Sequence, residues 1–103
     1  MIRHIVLLRF PDSVSREIRE SIFADLSALQ NHLQGVIGFH AGPNVSVEGD
    51  LRRGNMDGFW FDFEDTAARD TYLVDEAHKA VGARIITHTE GGIDGVTVFD
   101  IEV

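Results

Sequence analysis

Few side chains in this sequence can move a proton near neutral pH, and their spacing narrows what they could do. Five histidines stand at positions 4, 32, 40, 78 and 88, with a single tyrosine at 72 and no cysteine. Without cysteine there is no thiolate nucleophile, no sulfur-ligated metal and no disulfide. The histidines show neither HxH nor HExxH spacing, so no dedicated metal site is expected. Gly91, Gly92 and Gly95 do not follow a strand and open a helix, which argues against a phosphate-cradling loop. What remains is acid–base chemistry by imidazole and phenol, for which no cofactor is expected.

The elements that must position these groups are legible from periodicity. Ile2 to Phe10 is rich in β-branched and aromatic residues, ends at Pro11-Asp12, and reads as a strand. Alternation places Ile2, His4, Val6, Leu8 and Phe10 on one face and Arg3, Ile5, Leu7 and Arg9 on the other, so both faces carry apolar groups. A strand of that kind belongs in a sheet covered on both sides. His4 is the one polar group on its face.

Ser13 or Ser15 can cap a following helix, whose stripe is Ile18, Ile22, Leu26, Leu29 and Leu33, with Gly35 as the expected C-terminal stop. His32 in its last turn has an electrostatic reason to be there, near the negative end of the helix dipole. Val36 to Ala41 forms a short second strand in which Gly38 marks a bulge or an edge, with Ile37, Phe39 and Ala41 on one side and Gly38 and His40 on the other. Residues 42–54 are dense in turn formers and read as a loop.

Asp57 to Glu64 is a third strand with Phe59, Phe61 and Phe63 on one face and Gly58, Trp60, Asp62 and Glu64 on the other. Asp65 or Thr66 caps a second helix running through Tyr72 and Ala77 toward Val81, followed by a short turn or helix over 82–86. Val96 to Val103 is a fourth strand, in which Phe99, Ile101 and Val103 alternate with Val98, Asp100 and Glu102.

The order β-α-β-β-α-β is the ferredoxin-like α+β pattern, with an antiparallel four-stranded sheet. Two helices cover one face of such a sheet. The other, carrying Trp60, Ile5 and Leu7, would be a costly exposed patch in a monomer, and the simplest cover is a second copy about a two-fold axis. A homodimer is therefore expected.

At 103 residues, 44% apolar and 25% charged, the chain is expected to form one globular domain over 1–103. The formal charge of −8 argues against nucleic-acid binding, which draws on Lys and Arg. No apolar run approaches the roughly 20 residues of a membrane span, and the start lacks the pattern of a signal peptide. No membrane association and a cytoplasmic location are the expectations.

Several segments, taken in order, carry a family resemblance: Met-Ile-Arg-His-Ile-Val-Leu-Leu-Arg-Phe at the start, Gly-Pro-Asn-Val-Ser at 42–46, Glu48-Gly49, Arg53-Gly54, Phe63-Glu64-Asp65, Tyr72-Leu73, Ala77-His78 and the closing Val-Phe-Asp-Ile-Glu-Val. Together they resemble the stress-responsive dimeric A/B barrel (Dabb) family across the whole chain. The resemblance implies a ferredoxin-like monomer whose sheet packs on that of a second subunit to form a dimeric α+β barrel. An enzymatic branch of the family, olivetolic acid cyclase, closes a linear polyketide thioester by intramolecular aldol condensation. Similarity to that branch implies a pocket between helices and sheet with His78 as base, Tyr72 as its polar companion and His4 in the lining. Asp57 falls where that branch has a further pocket histidine, and Glu76 where the family usually has proline before Ala-His.

The chemistry suits these residue types, since a neutral histidine can abstract an acidic proton beside a carbonyl and a phenol can hold the oxygen as charge develops. On an unbroken helix, however, residues six apart lie about 120° out of phase, so Tyr72 and His78 converge only if the helix breaks between them. Three readings follow. The first is a cyclase-like or isomerase-like enzyme acting on a small hydrophobic carbonyl or aromatic ligand, its pocket closed by Phe23, Phe59, Phe61 and Val81. The second is a non-catalytic ligand-binding or stress-protective dimer with a structural His78. The third borrows from haem-degrading monooxygenases of the same barrel architecture, with Trp60 and His78 flanking the haem; strand alternation instead places Trp60 on the dimer face.

Overall fold

The computed structural model describes residues 1–103, and its four strands form one antiparallel sheet. In chain order the elements are β1 (Ile2–Leu8), α1 (Arg16–Ala28), β2 (Val36–Pro43), β3 (Asp57–Phe63), α2 (Thr66–Val74), α3 (Glu76–Ile86) and β4 (Val96–Glu102), with short 3-10 turns at Leu29–Asn31, Gly49–Arg52 and Gly92–Gly95. The sheet order is β2-β3-β1-β4, the ferredoxin-like arrangement.

Local sequence explains where these elements begin and turn. Ser15 caps α1, its Oγ accepting from Ile18 N–H at 3.1 Å. Gly35, expected as the helix stop, lies further on in the turn into β2, because the helix already gives way to a 3-10 turn at Leu29. Its φ of +81° and the close approach of Ala68 Cβ, 2.6 Å from where a Cβ would stand, explain why only glycine fits there. The register of β2 shifts between Val36 and Gly38, so Ile37 is an extra residue at a bulge and not a member of the Phe39 face.

All three helices cover the same face of the sheet. Between them and the strands lie Ile2, Val6, Leu8, Phe59, Phe61 and Phe63 from the sheet and Ile22, Leu26, Tyr72, Val81 and Ile85 from the helices. The opposite face is bare. It carries Ile5, Leu7 and Trp60 together with Phe99 and Ile101 of β4 and Val103 just beyond it, the last three exposed by 59%, 43% and 57%. Among these, Trp60 stacks on His40 with ring centroids 4.8 Å apart and lies under the Arg3 guanidinium.

The second helix departs from expectation. Instead of running on to Val81, it ends at Val74, and a new helix begins at Glu76. The hinge is Asp75, whose extended backbone (φ −66°, ψ 130°) stops α2 and whose carboxylate caps α3 by accepting from His78 N–H at 3.0 Å. The same carboxylate meets His32 Nε2 at 3.0 and 3.1 Å, which gives His32 a specific partner in place of a helix dipole.

Candidate active site

His4 reaches the helix side of β1 by alternation, and the register opposes it to Asp100 of β4 on the same face. Its Nδ1 lies 2.6 Å from Asp100 Oδ1. In the neutral ring this contact holds the proton on Nδ1 and leaves Nε2 as the acceptor. The other Asp100 oxygen accepts from Arg69 Nη1 of α2 at 2.9 Å, so the carboxylate ties β1, β4 and α2 together.

Tyr72 is 1% exposed, and its ring packs against Phe61, Phe63 and His4 with centroids 4.9, 5.1 and 5.4 Å away. The break at Asp75 then swings His78 back onto it. The Tyr72 and His78 rings are 3.9 Å apart at 35°, so the two side chains that one continuous helix would separate are in contact. Asp75 achieves this by capping, without a proline.

Burial, reinforced by the negative charge of Asp100, raises the Tyr72 phenol far above its usual value, so it stays protonated and can only donate or accept hydrogen bonds in its neutral form. His78 is shifted the other way. Burial is the main cause and the neighbouring His4 adds to it, while the carbonyls of Leu73 and Tyr72 and the Asp75 charge pull back. The imidazole is therefore neutral at neutral pH. Its Nδ1 is sealed from solvent and makes no hydrogen bond of good geometry within the protein.

His4, Tyr72, His78 and Asp100 line one cavity of about 350 Å³ between α2, α3, β1 and β4. Nine of its thirteen lining residues are hydrophobic, so the few polar groups stand in an otherwise apolar wall. Phe59 lines it as well. Phe61 and Val81 lie in the core behind, Phe61 directly under Tyr72. Phe23 sits on α1 beyond Phe59, ring centroids 6.4 Å apart, and does not reach the cavity.

Asp57 is also elsewhere. It is 1% exposed and bound by two arginines of α1, its Oδ1 accepting from Arg19 Nη1 at 2.7 Å and its Oδ2 from Arg16 Nη1. Arg19 further donates to the carbonyls of Val14 and Pro11. This network clamps the start of β3 to the start of α1, and the carboxylate has no oxygen free for the pocket. Trp60 lies across the sheet from His78, so these two side chains cannot flank one ligand within a subunit. No three side chains of the His, Asp and Glu type converge to hold a metal ion.

Asp100 was not legible as a site residue. In sequence it is one of the polar positions of the last strand; only the β1–β4 register sets it opposite His4.

The fold defines a class of ferredoxin-like α+β proteins whose sheet carries helices on one face and is bare on the other. Within that class the chain belongs to the stress responsive A/B barrel domain family, whose model matches residues 2–103. It is 31% identical over 99 residues to the Stress-response A/B barrel domain-containing protein HS1 of Arabidopsis thaliana, covering 96% of this chain and 86% of that protein. Among solved structures it is similar to a dimeric ferredoxin-like protein of unknown function from Jannaschia sp. CCS1, with a TM-score of 0.89, 30% identity and coverage of 99% and 98%. The hydroxynitrile lyase of Passiflora edulis shares the fold at a TM-score of 0.80, 18% identity and coverage of 99% and 92%, a likeness of fold alone. No helix is long and apolar enough to cross a membrane.

Proposed function

We propose that the protein is a homodimeric acid–base enzyme that acts, without a cofactor, on a small hydrophobic carbonyl compound, in the manner of a polyketide cyclase or an isomerase. The observation that carries this reading is the contact of Tyr72 with a neutral His78 in the wall of an otherwise apolar cavity, where the uncharged imidazole is ready to accept a proton.

In this reading His78 removes the proton from a carbon beside, or between, carbonyl groups. Tyr72, protonated throughout, donates a hydrogen bond to the oxygen on which the enolate charge collects. The enolate carbon then attacks a second carbonyl of the same molecule, forming the ring bond, and the proton on His78 passes to the new alkoxide. Isomerisation uses the same first step and returns the proton to a different carbon. His4, oriented by Asp100, adds a second imidazole to the wall. The apolar lining excludes water and strengthens these interactions.

The bare sheet face supports the homodimer: leaving Leu7, Phe99, Ile101 and Val103 in water is unfavourable, and the Jannaschia relative is described as dimeric. The name of the Arabidopsis relative supports a role in stress response. Two measurements test the reading. Sedimentation should show a dimer that Phe99→Glu dissociates. A thermal-shift screen of polyketide-like lactones, phenolic acids and acyl thioesters should find a compound that stabilises wild type but not a well-folded His78→Ala variant. If nothing shifts either protein and His78→Ala melts early, a structural dimer replaces the enzyme.

A further inference from the structure

A histidine that the acid–base reading leaves unused is joined to the one it depends on. The His32 imidazole stands outside the pocket, about half-exposed. Its Nε2 meets both oxygens of Asp75, at 3.0 and 3.1 Å. One of those oxygens, Oδ2, accepts the His78 N–H at 3.0 Å. A line of polar contacts therefore runs from His32 on the surface through Asp75 to His78 in the pocket wall.

The two ends of this line are anchored differently. His32 follows the 3-10 turn at Leu29–Asn31, and its backbone is fixed from both sides. The N–H groups of His32 and Leu33 donate to the Leu29 carbonyl at 3.3 and 3.1 Å, and the Gly35 carbonyl accepts from Glu64 N–H at 2.8 Å. Leu33 packs against the core. Asp75, by contrast, is a single extended residue between two helices. A capping carboxylate must keep one rotamer to hold its N–H, and a second donor from a fixed neighbour removes the alternatives. The His78 N–H is the main reason that this carboxylate lies below its usual range, and the His32 contact adds to it against partial desolvation. An ion pair as exposed as this one contributes little to overall stability. What it can do is select one orientation of a group that few other contacts hold.

Building on the acid–base reading of the pocket, we propose that His32 is a positioning residue: by holding both oxygens of Asp75 from a rigid turn, it fixes the cap of α3 and keeps the His78 ring against Tyr72. It touches no substrate itself. The requirement is strict, because the two rings are only 3.9 Å apart and a displacement of about 1 Å at a reacting group can cost about a hundredfold in rate.

The test follows the His78 ring by NMR in wild type, His32→Leu and His32→Gln, with His78→Ala identifying its signals. One readout is the ring-current shift that Tyr72 imposes on the His78 ring protons. The other is the midpoint of the His78 titration, which burial holds below 6.5. The titratable groups around His78, namely His4, Tyr72, Asp75 and Asp100, are unchanged in both His32 variants. His32→Leu should lose at least half of the ring-current shift and move the midpoint toward 6.5, while its melting temperature stays within about 4 °C of wild type. His32→Gln, which offers a neutral N–H to the same carboxylate, should keep both readouts near their wild-type values. Glutamine is the decisive variant, because loss of the histidine charge leaves Asp75 more negative and by itself moves the midpoint the same way. A glutamine variant that behaves like the leucine one overturns the inference, and so does a His32→Leu protein with the full ring-current shift. Neither readout needs a substrate, so these failures leave the acid–base reading to the thermal-shift screen. Should that screen find no compound that stabilises wild type, the acid–base reading fails and the proposed role of His32 with it.

Discussion

Replacing Asp57 by asparagine tests whether that carboxylate serves the fold or the pocket. Each of its oxygens faces an arginine, and neither the carboxylate nor the Arg19 side chain is open to water, at 0% and 8% exposure. Asparagine keeps the shape but removes the charge and turns an NH2 group toward a guanidinium. The Arg19 charge is then buried without a counter-ion, a loss of about 3–5 kcal/mol. Arg16 is 45% exposed and can return to solvent, so its share is about 1 kcal/mol or less. In a chain of this length about 4 °C of melting temperature is lost per kcal/mol, which predicts a fall of about 12–20 °C for Asp57→Asn and about 4 °C or less for Arg16→Met. Because total stabilities run at about 5–15 kcal/mol, the variant should remain folded in the cold. Thermal melting followed by circular dichroism supplies the first readout, and low-temperature titration with a compound from the thermal-shift screen the second. Binding should be unchanged in the folded variant, and an Asp57→Leu/Arg19→Met double variant should regain most of the lost stability, because no buried charge is then left alone. An Asp57→Asn protein that melts like wild type but no longer binds ligand would refute this reasoning and return Asp57 to the pocket.

Two further predictions concern the proposed catalytic pair, Tyr72 and His78. Asp75→Ala removes the cap and the break together, so α2 and α3 tend to fuse and turn His78 away from Tyr72; turnover should fall about a hundredfold. Adding Glu76→Pro should restore it, because proline suits the first position of a helix and Asp75 already has the extended backbone that a residue before proline requires. Turnover that survives Asp75→Ala at the wild-type level, measured on any substrate from the ligand screen, would show that the hinge is not set by capping. The pH dependence follows from the burial of His78 and Tyr72. With His78 lowered from 6.5 and Tyr72 raised from 10.0, the rate should climb as pH rises through the lowered histidine value and then stay level past the ordinary tyrosine range. Stability should respond with the same sign. The unfolded chain takes up a proton at His78 near 6.5 while the folded one resists, so stability is lost as pH falls below 6.5 and the loss is complete beneath the lowered folded value. His78→Gln should flatten that slope in pH-dependent denaturant titrations.

What the sequence determined by itself was everything governed by short-range periodicity. The alternation of Phe59, Phe61 and Phe63 against Trp60, the four-residue stripe from Ile18 to Leu33 and the order of strands and helices are properties of neighbouring residues, so the ferredoxin-like sheet and its bare face could be read directly. The proximity of Tyr72, His78 and His4 was reachable by resemblance, but not by helix geometry, which argued against it. Only the tertiary structure settled three points. Asp75 breaks the helix because its carboxylate finds both His78 N–H and His32, the latter from a segment 43 residues away. Asp57 leaves the pocket because folding brings two arginines of α1 to it across about 40 residues of chain, and a buried carboxylate goes where its counter-charges are. Asp100 joins His4 because the first and last strands pair in one register out of several possible, 96 residues apart. Each depends on a contact between distant segments, and local periodicity carries no information about which distant segments will meet.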